Sequence, residues 1–287
     1  MSSRQQNIAI FGPGLMGGSL LMALRQRQPH AHLRAWGRRS AALEELRGRG
    51  LVDFCSPEAA EVAAGADVVV LCVPVDKLAD IARDCAGAVS ADCLVTDVGS
   101  VKGPVTESLE TIFSAHRNFV GSHPMCGSEA TGLSAARADL YDNALCVVTP
   151  TANSRPEMTT AAEALWRSVG ARVAAMIPAE HDRAAALVSH VPHVAAAALV
   201  GLLTGENPDF HRLCAGGFRD TTRVASGSPE LWTAILSQNR AEAERGIGKL
   251  ITILEEFRLA VAADDAETLH HLLNQARSAR ETMMRGD

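Results

Sequence analysis

His123, in the run Gly121-Ser122-His123-Pro124-Met125-Cys126-Gly127-Ser128-Glu129, and the loop Gly12-Pro13-Gly14-Leu15-Met16-Gly17 are the residues of this chain best suited to chemistry. Proline fixes its own φ and pushes the preceding residue into extended backbone, which predicts a His123 held in a defined orientation at a strand end. A neutral imidazole held in this way can accept a proton near pH 7. Cys126 lies three residues further on. It leaves a Cys-His nucleophile open as an alternative, although free cysteine more often packs as a small hydrophobe.

The glycine loop follows an apolar run, Asn7–Phe11, and opens a segment of helical character, Ser19–Gln28. That setting turns G-x-G-x-x-G into a dinucleotide site. Gly12 permits the tight turn, Gly14 the approach of a pyrophosphate and Gly17 close packing of helix on strand, while the helix N-terminus offers amides and positive dipole to the anion. Leu15 and Met16 in the loop, and Val73 and Pro74 closing the run Asp67–Pro74, complete the expected cofactor contacts. The end of the second strand decides which nicotinamide cofactor is bound, because an acidic residue there would accept from the ribose 2′-hydroxyl. The sequence instead reads Ala35-Trp36-Gly37-Arg38-Arg39-Ser40, with no carboxylate until Glu44. Arg38 and Arg39, with Ser40 as a further donor, suit a 2′-phosphate, so NADP is expected in preference to NAD.

These residues need elements to position them. Strand-like runs at Leu33–Gly37, Val52–Cys55, Asp67–Pro74, Cys93–Val98, Asn118–His123, Ala144–Thr149 and Arg172–Ile177 alternate with helical stretches. The alternation predicts an α/β fold, a Rossmann-type doubly wound, mostly parallel sheet with helices on both faces. Beyond Pro178 the strand signal fades, and Ala- and Leu-rich segments take over at Ala184–Leu203, Glu230–Ala263 and Ala266–Met284. The reading is therefore a dinucleotide-binding domain over residues 1–178 and an all-helical domain over 179–287, to which the resemblance described below assigns substrate binding and dimerisation. Within the latter, Ala195–Leu203 is apolar nearly all round, as a helix buried on several sides would be.

Composition narrows the classes further. The chain has 287 residues, 47% of them hydrophobic and 21% charged, and its formal charge of −6 leaves no basic footprint for nucleic acid. Met1–Asn7 has no apolar leader region and no apolar run reaches the length of a membrane span, so the expected location is cytoplasmic, with no membrane partner. Seven cysteines without a C-x-x-C pair suggest reduced, mostly buried thiols.

Four stretches besides the glycine loop carry a resemblance. They are Asp97-Val98-Gly99-Ser100-Val101-Lys102, Gly121-Ser122-His123-Pro124-Met125, Ser189-His190-Val191-Pro192-His193 and Gly217-Phe218-Arg219-Asp220-Thr221-Thr222-Arg223-Val224-Ala225. In this order and spacing the chain resembles the prephenate dehydrogenase family, which includes the arogenate and cyclohexadienyl dehydrogenases of tyrosine biosynthesis. The resemblance implies the oxidative decarboxylation of prephenate to 4-hydroxyphenylpyruvate with hydride transfer to NAD(P). The alternative is the conversion of arogenate to tyrosine.

It also implies roles for particular residues. His123 matches the histidine that takes the C4 hydroxyl proton. Ser100 would bond that hydroxyl and orient the imidazole, and it also reads as a helix N-cap after the fifth strand. Arg223 would grip the ring carboxylate in bidentate fashion. His190 and His193 share a helix face beside a kink expected at Pro192, the second of them receiving the substrate side chain. Glu129 and Asp220 match an ionic network around the arginine, or are simply surface carboxylates, and Trp232 matches an aromatic near the substrate, or is core. No carboxylate or cysteine cluster accompanies the two histidines, so no metal is expected. A homodimer through the helical half follows from the same resemblance. The competing readings are another two-domain hydroxyacid or imine reductase, whose reactive lysine only Lys249 could supply, and a non-catalytic NADP-binding sensor.

Overall fold

The computed structural model describes residues 5–285. Most of the Met1–Asn7 segment searched for a leader lies outside them. The chain opens as alternating strands and helices: β1 (Asn7–Phe11), α1 (Leu15–Arg27), β2 (His32–Trp36), α2 (Ser40–Gly48), β3 (Phe54–Ser56), α3 (Ala59–Ala63), β4 (Val68–Leu71), α4 (Leu78–Ala86), β5 (Leu94–Asp97) and α5 (Gly103–Ile112). The five strands form one parallel sheet in the order β3-β2-β1-β4-β5. Period-two alternation splits their side chains between two cores. Ile8, Ile10, Leu33, Val68 and Val70 face one layer of helices, and Ala9, Phe11, Val69 and Leu71 face the other. Strand order reverses between β1 and β4, so the ends of these two strands open the crevice where such sheets bind ligands.

Then come β6 (Gly121–Pro124), β7 (Leu145–Thr149), α6 (Pro156–Ser168) and β8 (Arg172–Ala175), which form a second sheet. Here the structure departs from a single parallel array, because β6 pairs antiparallel with β7. The reason is local: residues 125–144 contain no α-helix to carry the chain back to the start of a parallel strand. The bridge Val95–Phe119 joins this sheet to β5. Buried Ser122 locks the junction, donating to the Asp97 carbonyl at 2.5 Å and accepting from the Trp166 indole N–H at 2.9 Å.

Helices make up the rest: α7 (Pro178–Ala185), α8 (Val191–Gly201), α9 (Gly216–Thr222), α10 (Pro229–Gln238), α11 (Arg240–Ala262) and α12 (Ala266–Met284). A π-turn over Ala186–His190 joins α7 to α8 in place of the kink expected at Pro192. Proline has no N–H to give the α-ladder and its ring crowds the carbonyl four residues back, and a wider turn relieves both conflicts. The resulting continuous helix, 178–201, is long and apolar enough to cross a membrane by length and composition alone. That differs from the sequence expectation that no apolar run reaches the length of a membrane span. The Ala- and Leu-rich segment 230–263 is two helices broken at buried Asn239. The Asn239 side-chain amide donates to the Asp182 carbonyl at 2.9 Å and so ties α10 and α11 to α7. A row of exposed apolar side chains, among them Ile251, Leu254, Val261 and Leu273, runs along α11 and α12.

Candidate active site

The glycine loop closes on the β1/β4 crevice. Gly12 has φ +97°, and a Cβ there would lie 2.5 Å from the Cys72 carbonyl. A Cβ on Gly17 would lie 2.3 Å from the Gly12 carbonyl. Both glycines are therefore required by packing alone. Gly14 differs, since a Cβ there would meet nothing within 4 Å. Its bareness leaves an open cradle at the start of α1, which fits a bound pyrophosphate. The adjoining groove, about 430 Å³, takes in Gly12, Gly14, Arg38, Arg39, Val73 and Pro74. Ser40, the first residue of α2, is not on its wall. Glu44, the first carboxylate after β2, is exposed on α2. A second recess, beginning at Gly14, Leu15 and Met16, continues past Val73 and Pro74 to Ser100 and His123. The dinucleotide cradle thus leads directly to the candidate base.

His123 is the third residue of β6 and is nearly buried. Burial above all pushes its imidazole well below the usual pKa, and electrostatic interaction with His181, Lys102 and His190 lowers it further. A neutral ring is the form that can accept a proton. Ser100 is not the cap of the following helix: α5 begins at Gly103, and Ser100 lies in the preceding loop on the same cavity wall as His123. That loop is pinned from below by a fully buried ion pair, in which Lys102 Nζ donates to the Asp97 carboxylate and, at 2.9 Å, to the Ser122 carbonyl. The Asp97 carboxylate also accepts from the amides of Gly99 and Ser122. Satisfying both partners this fully offsets the cost of burying their charges. It also fixes the Ser100 loop against the strand that carries His123.

The cavity beyond His123 measures about 410 Å³, with Ser100 and His123 on one side and Arg223, Ser189, Gly227 and Trp232 contributed by the helical half. Arg223 crosses it to Glu129, Nη1 to Oε2 at 2.9 Å. Trp232 is flanked by His193, whose ring stacks on the indole at 3.6 Å between centroids. The indole approaches Gly227 so closely that a Cβ there would lie 2.6 Å from Trp232 Nε1. His193 itself is behind the wall, nearly buried, with Nδ1 lacking a side-chain partner. Cys126 lines the cavity, and burial pushes its thiol up to about 11. It is a packing residue rather than a ready thiolate.

Three expected contacts, His193 behind Trp232 among them, are not brought into the cavity. His190 is buried inside the helical half, where its Nδ1 accepts from Asn239 at 3.2 Å, and Ser189 takes its place on the wall. The π-turn rotates this stretch relative to a regular helix, and neither His190 nor His193 lines the pocket. Asp220 is exposed on α9 and does not line the cavity, and Arg223 is paired with Glu129 instead.

One group sits squarely against His123 and was absent from the sequence reading. His181 Nε2 lies 2.8 Å from His123 Nδ1, and His181 Nδ1 lies 2.8 Å from the Asp182 carboxylate. The separation of 58 residues leaves no local pattern by which sequence could link the two rings. The only hint is a His-Asp pair at the first turn of the helix that follows the last strand.

Comparisons with known proteins agree with this layout. The profile of the prephenate dehydrogenase nucleotide-binding domain matches residues 22–175, and that of the prephenate dehydrogenase dimerisation domain matches 177–275. A cyclohexadienyl dehydrogenase of Zymomonas mobilis is 31% identical over 96% of this chain and 95% of its own length. A prephenate dehydrogenase of Bacillus subtilis is 30% identical over 98% of this chain and 77% of its own length. Among solved structures, a prephenate dehydrogenase from Aquifex aeolicus in complex with hydroxyphenyl propionate and NAD+ superposes with a TM-score of 0.91 at 29% identity, covering 99% of this chain and 100% of that one. An arogenate dehydrogenase from Synechocystis gives a TM-score of 0.83 at 30% identity, covering 97% of this chain and 100% of that one. A nucleotide-binding sheet with its glycine cradle, followed by a helical dimerisation half, and both profile matches place this chain in the prephenate dehydrogenase family.

Proposed function

We propose that the protein is a prephenate dehydrogenase that oxidatively decarboxylates prephenate to 4-hydroxyphenylpyruvate and uses NADP in preference to NAD. The observation that carries this reading is the single cavity with Ser100 and His123 at the end next to the dinucleotide groove and Arg223 at the other. The substrate ring carries a carboxylate and, across from it, a hydroxyl, so a cation and a base facing each other match both ends. Bound in the groove, the nicotinamide supplies the hydride acceptor.

The chain's own residues do the rest. Ser100 bonds the C4 hydroxyl, and Arg223 holds the ring carboxylate. His123 accepts the hydroxyl proton as carbonyl character develops at C4. The carboxylate leaves as CO2, its bonding pair stays in the ring, and the new phenolate oxygen recovers the proton from His123. No proton is consumed overall, so the imidazole ends neutral, as burial favours. Stacking by His193 sets the plane of Trp232 against the substrate side chain, and Glu129 shares Arg223 while the pocket is open.

Arg38 and Arg39 on the groove, with no carboxylate at the end of β2, support NADP. All seven cysteines are free thiols, as suits a cytoplasmic enzyme. We place the division between the two functional halves at residue 178, where α7 begins. The test is a two-by-two assay of prephenate and arogenate with NADP and NAD. Turnover is expected to be highest with prephenate and NADP, and activity with none of the four pairs overturns the reading. Higher turnover of arogenate replaces it with the second member of the family. In the same assay His123→Asn is expected to lose about 10²–10⁴-fold in kcat with KM little changed.

A further inference from the structure

Behind His123 the hydrogen bonds have a direction that the chemistry of each group decides. The Asp182 carboxylate is held by the start of α5: Oδ1 accepts from the Lys102 amide at 2.7 Å and Oδ2 from the Gly103 amide at 2.8 Å. A carboxylate so held is an acceptor only, so its contact with His181 Nδ1 requires the proton to be on that nitrogen. The other nitrogen of a neutral His181, Nε2, is then a bare acceptor. Its neighbour at 2.8 Å, His123 Nδ1, must be the donor. His123 is left with an unprotonated Nε2.

We infer that His181, anchored by Asp182, is a positioning residue that keeps His123 in its Nδ1–H tautomer and so presents Nε2 as the base toward the cavity. The inference rests on the reading of His123 as the base. In water a histidine ring is free to exchange tautomers, and a ring whose substrate-facing nitrogen already carries the proton cannot accept another there. The relay also gives the charge somewhere to go. When Nε2 takes the substrate proton, the Nδ1 proton can pass to His181 Nε2, which leaves the positive charge on the ring beside the Asp182 carboxylate. When the phenolate recovers its proton, both protons step back. The other charged or titratable groups facing the pair are the Lys102 ammonium, which opposes a proton that stays on His123, and His190, which burial pushes down to about 4 and so keeps neutral.

The test uses the full chain with NADP bound and ¹⁵N-labelled histidine, the His123 signals being those lost in His123→Asn. NMR is expected to show the His123 proton on Nδ1. A proton on Nε2 overturns the inference. His181→Leu is expected to lose that tautomer and about 10- to 100-fold in kcat at nearly constant KM, while His181→Gln, whose side-chain oxygen can accept the same bond, keeps the tautomer and most of kcat. Unchanged kcat in His181→Leu, or equal losses in the two variants, also overturns it. Should neither prephenate nor arogenate be turned over, the tautomer measurement still decides the relay, so its failure is distinct from failure of the proposed reaction.

Discussion

Arg223 and Glu129, 94 residues apart in the chain, meet across the mouth of the cavity, Nη1 to Oε2 at 2.9 Å. One comes from the turn after α9 and the other from the loop after β6, so the contact joins the helical half to the nucleotide half. Both side chains are substantially exposed, so the pair adds little to stability. Under the proposed reaction, an incoming substrate carboxylate would replace Glu129 as the partner of this guanidinium.

Arg223→Ala is accordingly expected to raise KM for prephenate about 10- to 100-fold, the worth of charge-assisted hydrogen bonds, with kcat nearly unchanged. Steady-state kinetics check this. An unchanged KM removes Arg223 from the substrate site.

For the cofactor, the double substitution of Arg38→Ala and Arg39→Ala is expected to lower kcat/KM for NADP about 10- to 100-fold and to leave NAD within about threefold. The comparison needs saturating prephenate and both cofactors. Equal losses with NADP and NAD would show the arginines to be a solvated surface pair.

Three buried histidines make the fold acid-sensitive. Burial holds His123 well below the usual imidazole pKa, pushes His190 down to about 4 and lowers His193. Unfolded imidazoles titrate near 6.5, so as pH falls below about 6.5 the unfolded chain binds protons that the native state refuses. The native state therefore loses stability as pH falls, by at most about 1.4 kcal/mol per pH unit for each histidine, down to about pH 4 for His190. Protonation of His190 Nδ1 also sets a proton against the Asn239 amide that now donates to it. Thermal unfolding midpoints measured from pH 7.5 to about 4.5 are expected to fall steadily. A midpoint independent of pH over that range contradicts the buried neutral rings.

The helical half matches a dimerisation domain, and it leaves Ile251 and Leu254 on α11 more than half exposed, at 60% and 56%. Replacing both with glutamate is expected to convert a dimer to a monomer in analytical ultracentrifugation, because two charges at an apolar contact must be desolvated without partners. A variant that still sediments as a dimer places the interface elsewhere on the helices.

Much of this molecule was legible in the sequence because its signals are local. The glycine loop, the fully apolar run Val68–Leu71, the histidine before a proline and the change to Ala-rich helices at Pro178 each report on a few neighbouring residues, and each corresponds to an element of the fold. Four motifs in order were enough to name the family. What tertiary structure alone decided depends on which distant segments meet. β6 turns antiparallel because no helix intervenes before β7. His190 faces Asn239 rather than the pocket because a π-turn shifts its direction, and Ser100 is freed from capping because Asp182, from another helix, caps α5. The partner of His123 belongs to the same class. Only packing α7 against the start of α5 and the end of β6 brings His181 and Asp182 behind the ring. No periodicity or spacing encodes that contact, since its physical cause is the satisfaction of buried polar groups across 58 residues of chain.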